Sequence, residues 1–71
     1  MLSLEKNILT KREQEIFYLL IQNKTTKEIA NSLGISSKTV RNHISNTIQK
    51  LGAKNRTSAL IELIKMNIIS I

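Results

Sequence analysis

The sequence predicts an all-α fold of four helices, and three observations predict it. Apolar residues recur at helical spacing in four separate segments. Two of those segments open with threonine followed three positions later by glutamate, Thr10 with Glu13 and Thr25 with Glu28, the pattern of a capping box. Proline is absent, and the two glycines, Gly34 and Gly52, stand where segments end.

The first helix starts at "LTKRE", with Thr10 as cap and Glu13 reaching back to it. Ile16, Leu19, Leu20 and Asn23 follow at helical spacing, Phe17 flanks the apolar side, and the helix ends near Gln22. The second starts at "TTKE" behind Thr25, carries Ile29, Ala30 and Leu33 inward, and stops at Gly34 after roughly two turns. The third runs from Ser37 to Leu51, capped by Ser36 and stopped by Gly52. At about 100° per residue, Val40, Ile44, Thr47, Ile48 and Leu51 share one face, and Lys38, Asn42, Ser45, Asn46 and Gln49 the opposite one. Thr39, Arg41, His43 and Lys50 lie on the flanks. The fourth helix starts after Asn55 and reaches Met66 or Asn67. Ala59, Leu60, Leu63 and Met66 make one apolar stripe on it, and Ile61, Ile64 and Ile68 a second, nearly opposite. A helix apolar on two faces is buried on two faces. The second stripe is therefore expected to meet a second copy of the chain; cover by a loop or by Leu2 and Leu4 of the N-terminal arm is the alternative.

Composition narrows what such a fold can do. A chain of 71 residues is one domain at most, and at that size only about 60% of the unfolded surface is buried, so support from elsewhere is expected. There is no cysteine and no aspartate, and a single histidine. That excludes disulfides and thiolate chemistry and leaves no donor set for a metal, so neither a metal nor another cofactor is expected. Oligomerisation is the remaining support. The opening "MLSLEKNILT" has no secretory pattern, and no apolar run approaches the roughly 18–20 residues that cross a bilayer, so a cytoplasmic protein without a membrane partner is expected.

Charge is distributed unevenly. The net charge is +6 and the pI about 10.1. Between Glu28 and Glu62 no acidic residue occurs, while Lys38, Arg41, Lys50, Lys54 and Arg56 do. An acid-free basic half is the electrostatic footprint of a nucleic-acid binder; a plain solvated surface is the alternative.

Only "GIS", residues 34–36, separates the second helix from the third. Two helices joined by so tight a turn form a helix-turn-helix, whose second member enters the major groove of double-stranded DNA. Ala30 lets the helices approach, Gly34 supplies the positive φ that reverses the chain, and Ile35 and Val40 hold the crossing from inside.

The stretch "LTKREQEIFYLLIQNKTTKEIANSLGISSKTVRNHISNTIQKLGAKNRTSAL" resembles the LuxR/FixJ-type helix-turn-helix domain, through "LTKRE", "KEIA", "LGISSKTVRNH" and "KLGAKNR". The resemblance extends from Leu9 to about Ile69, so residues 9–71 are expected to form the DNA-binding domain and residues 1–8 an arm. Within the family, "TTKEIA", "KTVRNHISN" and "QKLG" are most similar to its short, stand-alone sporulation regulators. The resemblance implies a sequence-specific regulator of transcription in a bacterial cytoplasm, associated with the nucleoid. It also implies a homodimer through the last helix on a two-fold-related site, with RNA polymerase a further candidate partner. It places base-edge contacts at Arg41, Asn42 and Ser45, and backbone contacts at Thr26, Lys27, Thr39, Lys50 and Lys54. With Met1 only eight residues before the motif, no sensor domain is expected, and control falls to abundance.

Each residue has a plainer reading. Arg41 takes guanine O6 and N7 bidentately or grips phosphate; Asn42 suits adenine or is a solvated amide. Ser45 permits close approach to the bases. Lys27, Lys38, Lys50 and Lys54 are ordinary solvated lysines unless gathered against phosphates. Thr26 holds a phosphate at a helix N-terminus or merely supports the cap. A lone His43, with no acid near it in sequence, makes neither a metal site nor a catalytic one, and no catalytic residue is expected. Two rival classes remain: an interaction module docking a partner on the fourth helix, and a small enzyme, which the missing acid–base constellation argues against.

Overall fold

The computed structural model describes residues 8–69. Its elements are α1 (Lys11–Ile21), α2 (Thr26–Leu33), α3 (Ser37–Leu51) and α4 (Arg56–Lys65), with no strand among the described residues. The expectations about the N-terminal arm, including Leu2 and Leu4, lie outside the described residues.

Each helix begins on the expected cap. Thr10 accepts from the Glu13 N–H at 3.1 Å, Thr25 from Glu28 at 3.1 Å, Ser36 from Thr39 at 3.0 Å and Asn55 from Ser58 at 2.9 Å. In the first two, the glutamate returns the bond by accepting from the cap's own N–H, at 2.9 and 2.8 Å. Four orphan donors at each helix start make such caps worth about 1 kcal/mol apiece.

The helix ends share one device. A residue in the left-handed region follows each helix: Asn23 (φ 68°), Gly34 (69°), Gly52 (65°) and Asn67 (60°). The next N–H then reaches back five residues, from Lys24 to Leu19 O, Ile35 to Ala30 O, Ala53 to Ile48 O and Ile68 to Leu63 O, at 3.0–3.2 Å. Glycine takes this conformation without penalty and asparagine with little. Asn23 is thus the residue that ends α1, where the spacing argument counted it with the helical face.

α3 packs against each of the other three helices. Phe17 and Ile16 of α1, Ile29 of α2, Val40 and Thr47 of α3 and Leu63 of α4 are fully buried. Buried Thr47 satisfies its hydroxyl by donating to the His43 carbonyl oxygen at 2.9 Å. Ala30, 4% exposed, belongs to the same core.

The fourth helix departs from expectation. Ala59 and Leu63 are buried, but Met66 is the half-buried C-cap. Of the second stripe, Ile64 and Ile68 are half-buried against the chain's own core, and only Ile61, 49% exposed, is open. The left-handed turn at Asn67 folds Ile68 and Ile69 back, so that they share a concavity with Lys11, Gln14, Glu15 and Tyr18 of α1. Leu9, ahead of α1, and Ile69, beyond α4, complete the core, each under a tenth exposed.

Candidate nucleic-acid interface

α3 divides sharply. With Val40, Ile44 and Thr47 buried, 3.6 residues per turn turn Lys38, Arg41, Asn42, Ser45, Asn46 and Gln49 outward, and all six are exposed. The face carries donors and acceptors of the kind that read base edges, and no acid. Among the described residues, neither Lys38 nor Arg41 has an ion-pair partner.

The N-terminus of α3 differs from those of α1 and α2. Thr39 stands where they have glutamate, and its hydroxyl meets the Ser36 hydroxyl at 2.9 Å. Cap and third residue are satisfied without placing a negative charge at this end of the helix. At α2 the arrangement is the reverse. The exposed Glu28 carboxylate holds the Thr25 N–H, a bond that, over slight desolvation and with help from the Thr25 hydroxyl and Lys24, keeps its pKa below the ordinary 4.5. The chain's own anion therefore occupies part of that terminus, beside half-buried Thr26 and exposed Lys27. Lys54 is exposed in the loop between α3 and α4.

Lys50, unlike Lys38 and Arg41, has an ion-pair partner. Its ammonium donates to Glu13 Oε1 at 2.7 Å and to the Ile8 carbonyl oxygen at 3.4 Å, tying the last turn of α3 to the start of α1. The Glu13 side chain is 4% exposed and that of Lys50 37%. Burial alone would raise the Glu13 pKa. The hydrogen bond from Lys50, the Thr10 N–H and the nearby charges of Lys50 and His43 outweigh it and hold the carboxyl below 4.5. A phosphate contact at Lys50, as expected, would draw on an ammonium that this carboxylate already holds. Sequence reasoning missed this pair because its members lie 37 positions apart; the available signal was a buried glutamate at a capping position, with charge to balance. The same fold brings an acid near His43, which has none in its own segment.

Elsewhere the surface is ordinary. Arg12 and Glu15 pair at 3.2 Å with both side chains two-fifths exposed, a geometry that contributes little. Among the described residues no group of three or more histidines or acids is placed to hold a metal, and no helix is long and apolar enough to cross a membrane.

Residues 7–63 match the family model of bacterial regulatory proteins of the LuxR family. The chain is 66% identical over 61 residues to the spore germination protein GerE of Bacillus subtilis (strain 168), a match covering 86% of this chain and 82% of that protein. It is 52% identical over 56 residues to the transcriptional regulatory protein DesR of the same organism, covering 79% of this chain and 28% of DesR. The solved structure of transcription factor GerE superposes with a TM-score of 0.82 at 58% identity, covering 83% of this chain and 88% of that one. The response regulator ChrA of a heme-sensing two-component system gives the same TM-score at 35% identity, and the match spans 31% of its length.

Proposed function

Because the chain belongs to the LuxR family of bacterial regulatory proteins, whose members are DNA-binding regulators of transcription, we propose that it acts as a homodimer on a two-fold-related operator, in a sporulation programme. The observation that carries this reading is the outward face of α3, exposed, acid-free and built of base-reading side chains. Likeness to GerE over most of both chains supports the sporulation role.

In this reading α3 lies in the major groove. Arg41, Asn42 and Ser45 contact base edges, and Thr26, Lys27, Lys38, Thr39 and Lys54 hold the backbone that positions them. Lys50 keeps its pairing with Glu13. Residues 9–71 form the DNA-binding domain, the protein works on chromosomal DNA in the bacterial cytoplasm, and RNA polymerase is a further partner at the promoter.

The dimer rests on α4. Ile61 is the open member of its second stripe, flanked by half-buried Ile64 and Ile68. A two-fold pairing there sets two copies of α3 one DNA turn apart, about 34 Å.

Selection of bound sequences from a random duplex pool tests the reading. The expected result is a motif of two inverted half-sites about 10 base pairs apart, centre to centre; a pool with no enriched motif overturns it. Sedimentation of Ile61→Asp tests the dimer separately: the exposed site tolerates the change, and a monomer is expected. An unchanged dimer mass means that pairing uses another surface.

A further inference from the structure

Between α3 and the start of α4 lies a concavity of about 310 Å³ lined by Arg41, Ile44, Ser45, Ile48, Asn55 and Arg56. Arg56 is exposed, and among the described residues neither arginine has an ion-pair partner. The chain carries no acid from Ile29 to Ile61, so none lies near either arginine in sequence. Two guanidinium groups on one acid-free hollow repel each other, and an anion entering between them relieves that repulsion.

The wall between them is not polar. Ile44 is buried and Ile48 half-buried, so they present a low-dielectric floor that strengthens any charge interaction above it. A cationic rim over an apolar floor matches a sugar–phosphate strand, with phosphate oxygens toward the guanidinium groups and the carbon-rich face of the sugar against the isoleucines. A free phosphate ion would leave the floor uncovered. Arg41 and Ser45 belong both to this hollow and to the outward face of α3, so a strand bordering the groove that α3 enters passes over it.

We propose that Arg56, across this hollow from Arg41, binds the sugar–phosphate backbone of the strand beside the recognition helix, a contact that rests on the reading of α3 above. Arg56 then sets affinity and register while Arg41 sets base preference.

The test uses the full chain with two probes, the duplex selected as above and a random-sequence duplex of equal length. Arg56→Ala is expected to weaken binding about tenfold on both, to lower the slope of log K against log salt by about 0.9, and to leave the ratio between the two probes unchanged. Arg56→Lys keeps the slope. Should Arg56→Ala fail to fold by circular dichroism, Arg56→Gln takes the same measurements. Neutralising single phosphates of the selected duplex as methylphosphonates is expected to find one that weakens the wild type but not the alanine variant. Unchanged affinity and slope, a loss confined to the selected duplex, or no such phosphate overturns the proposal. So does Arg56-dependent binding of inorganic phosphate with no effect on DNA. If the wild type fails to prefer the selected duplex, the reading of α3 falls instead, and the random duplex still reports on Arg56.

Discussion

The two ends of α3 use positive charge in opposite ways. In its last turn Lys50 turns toward a buried carboxylate and joins the helix to α1. In its first turn and a half, Lys38 and Arg41 stand in solvent with no acid opposite them. The residue types are equivalent, and along the chain all three sit in one acid-free run. What separates them is the element that packs against each end: α1 with Glu13 at one, and open surface beside α4 at the other. A cation near a charge-poor surface remains available to a polyanion, whereas one held at 2.7 Å by an internal carboxylate has already exchanged its water for a partner.

The largest break in this contrast comes from Arg41→Ala. Loss of a bidentate base contact is expected to cost roughly 1–3 kcal/mol of discrimination, seen as a drop of about 5- to 160-fold in the ratio of affinities for the selected and the random duplex. Intact preference in a binding titration would move base reading off this residue.

Glu13→Gln addresses the other end. It removes the charge facing Lys50 while keeping the shape and the acceptor for the Thr10 N–H. Because Lys50 keeps access to water, the cost is on the order of 1–2 kcal/mol rather than that of a fully buried pair. Thermal unfolding should shift down by about 4–8 °C per kcal/mol, while the base preference of the folded protein stays as it was.

Lys50 and Lys38 can then be set against each other. Lys38→Ala is expected to lower the salt slope of DNA binding by about 0.9 and leave the thermal midpoint in place. Lys50→Met is expected to do the reverse. A lowered salt slope in Lys50→Met would return that lysine to the interface.

The smallest effect lies in acid. With its folded pKa below the ordinary 4.5, Glu13 contributes stability that is complete above that value and is lost as pH falls through the folded pKa. Wild-type unfolding free energy should therefore decline below about pH 4.5, and decline less in Glu13→Gln. A residual slope is expected from Glu28, whose pKa is also lowered. Equal slopes in the two proteins would show that the Glu13–Lys50 pair carries no net stabilisation.

Most of the fold was legible because its rules are local. Caps at Thr10, Thr25, Ser36 and Asn55 act over three residues, the stops at Gly34 and Gly52 over five, and the two faces of α3 follow from 3.6 residues per turn. The outward position of Arg41, Asn42 and Ser45 follows from that periodicity as soon as Val40 and Ile44 are turned inward. α4 was only half legible. Periodicity correctly found a second apolar stripe, but the return of Ile68 and Ile69 toward α1 depends on one left-handed asparagine and on contacts across the whole chain.

By itself, then, the sequence determined four capped helices, a helix-turn-helix crossing and an acid-free outward face, because each arises among residues within a turn or two of one another. The tertiary structure alone decided that Lys50 faces Glu13, that Ile64 and Ile68 lean on their own core, and that Arg41 and Arg56 share one hollow. Those are meetings of residues far apart in the chain. Which groups meet is settled when the helices pack around Phe17, Ile29, Val40 and Leu63, and periodicity along a single helix holds no information about what lies across from it.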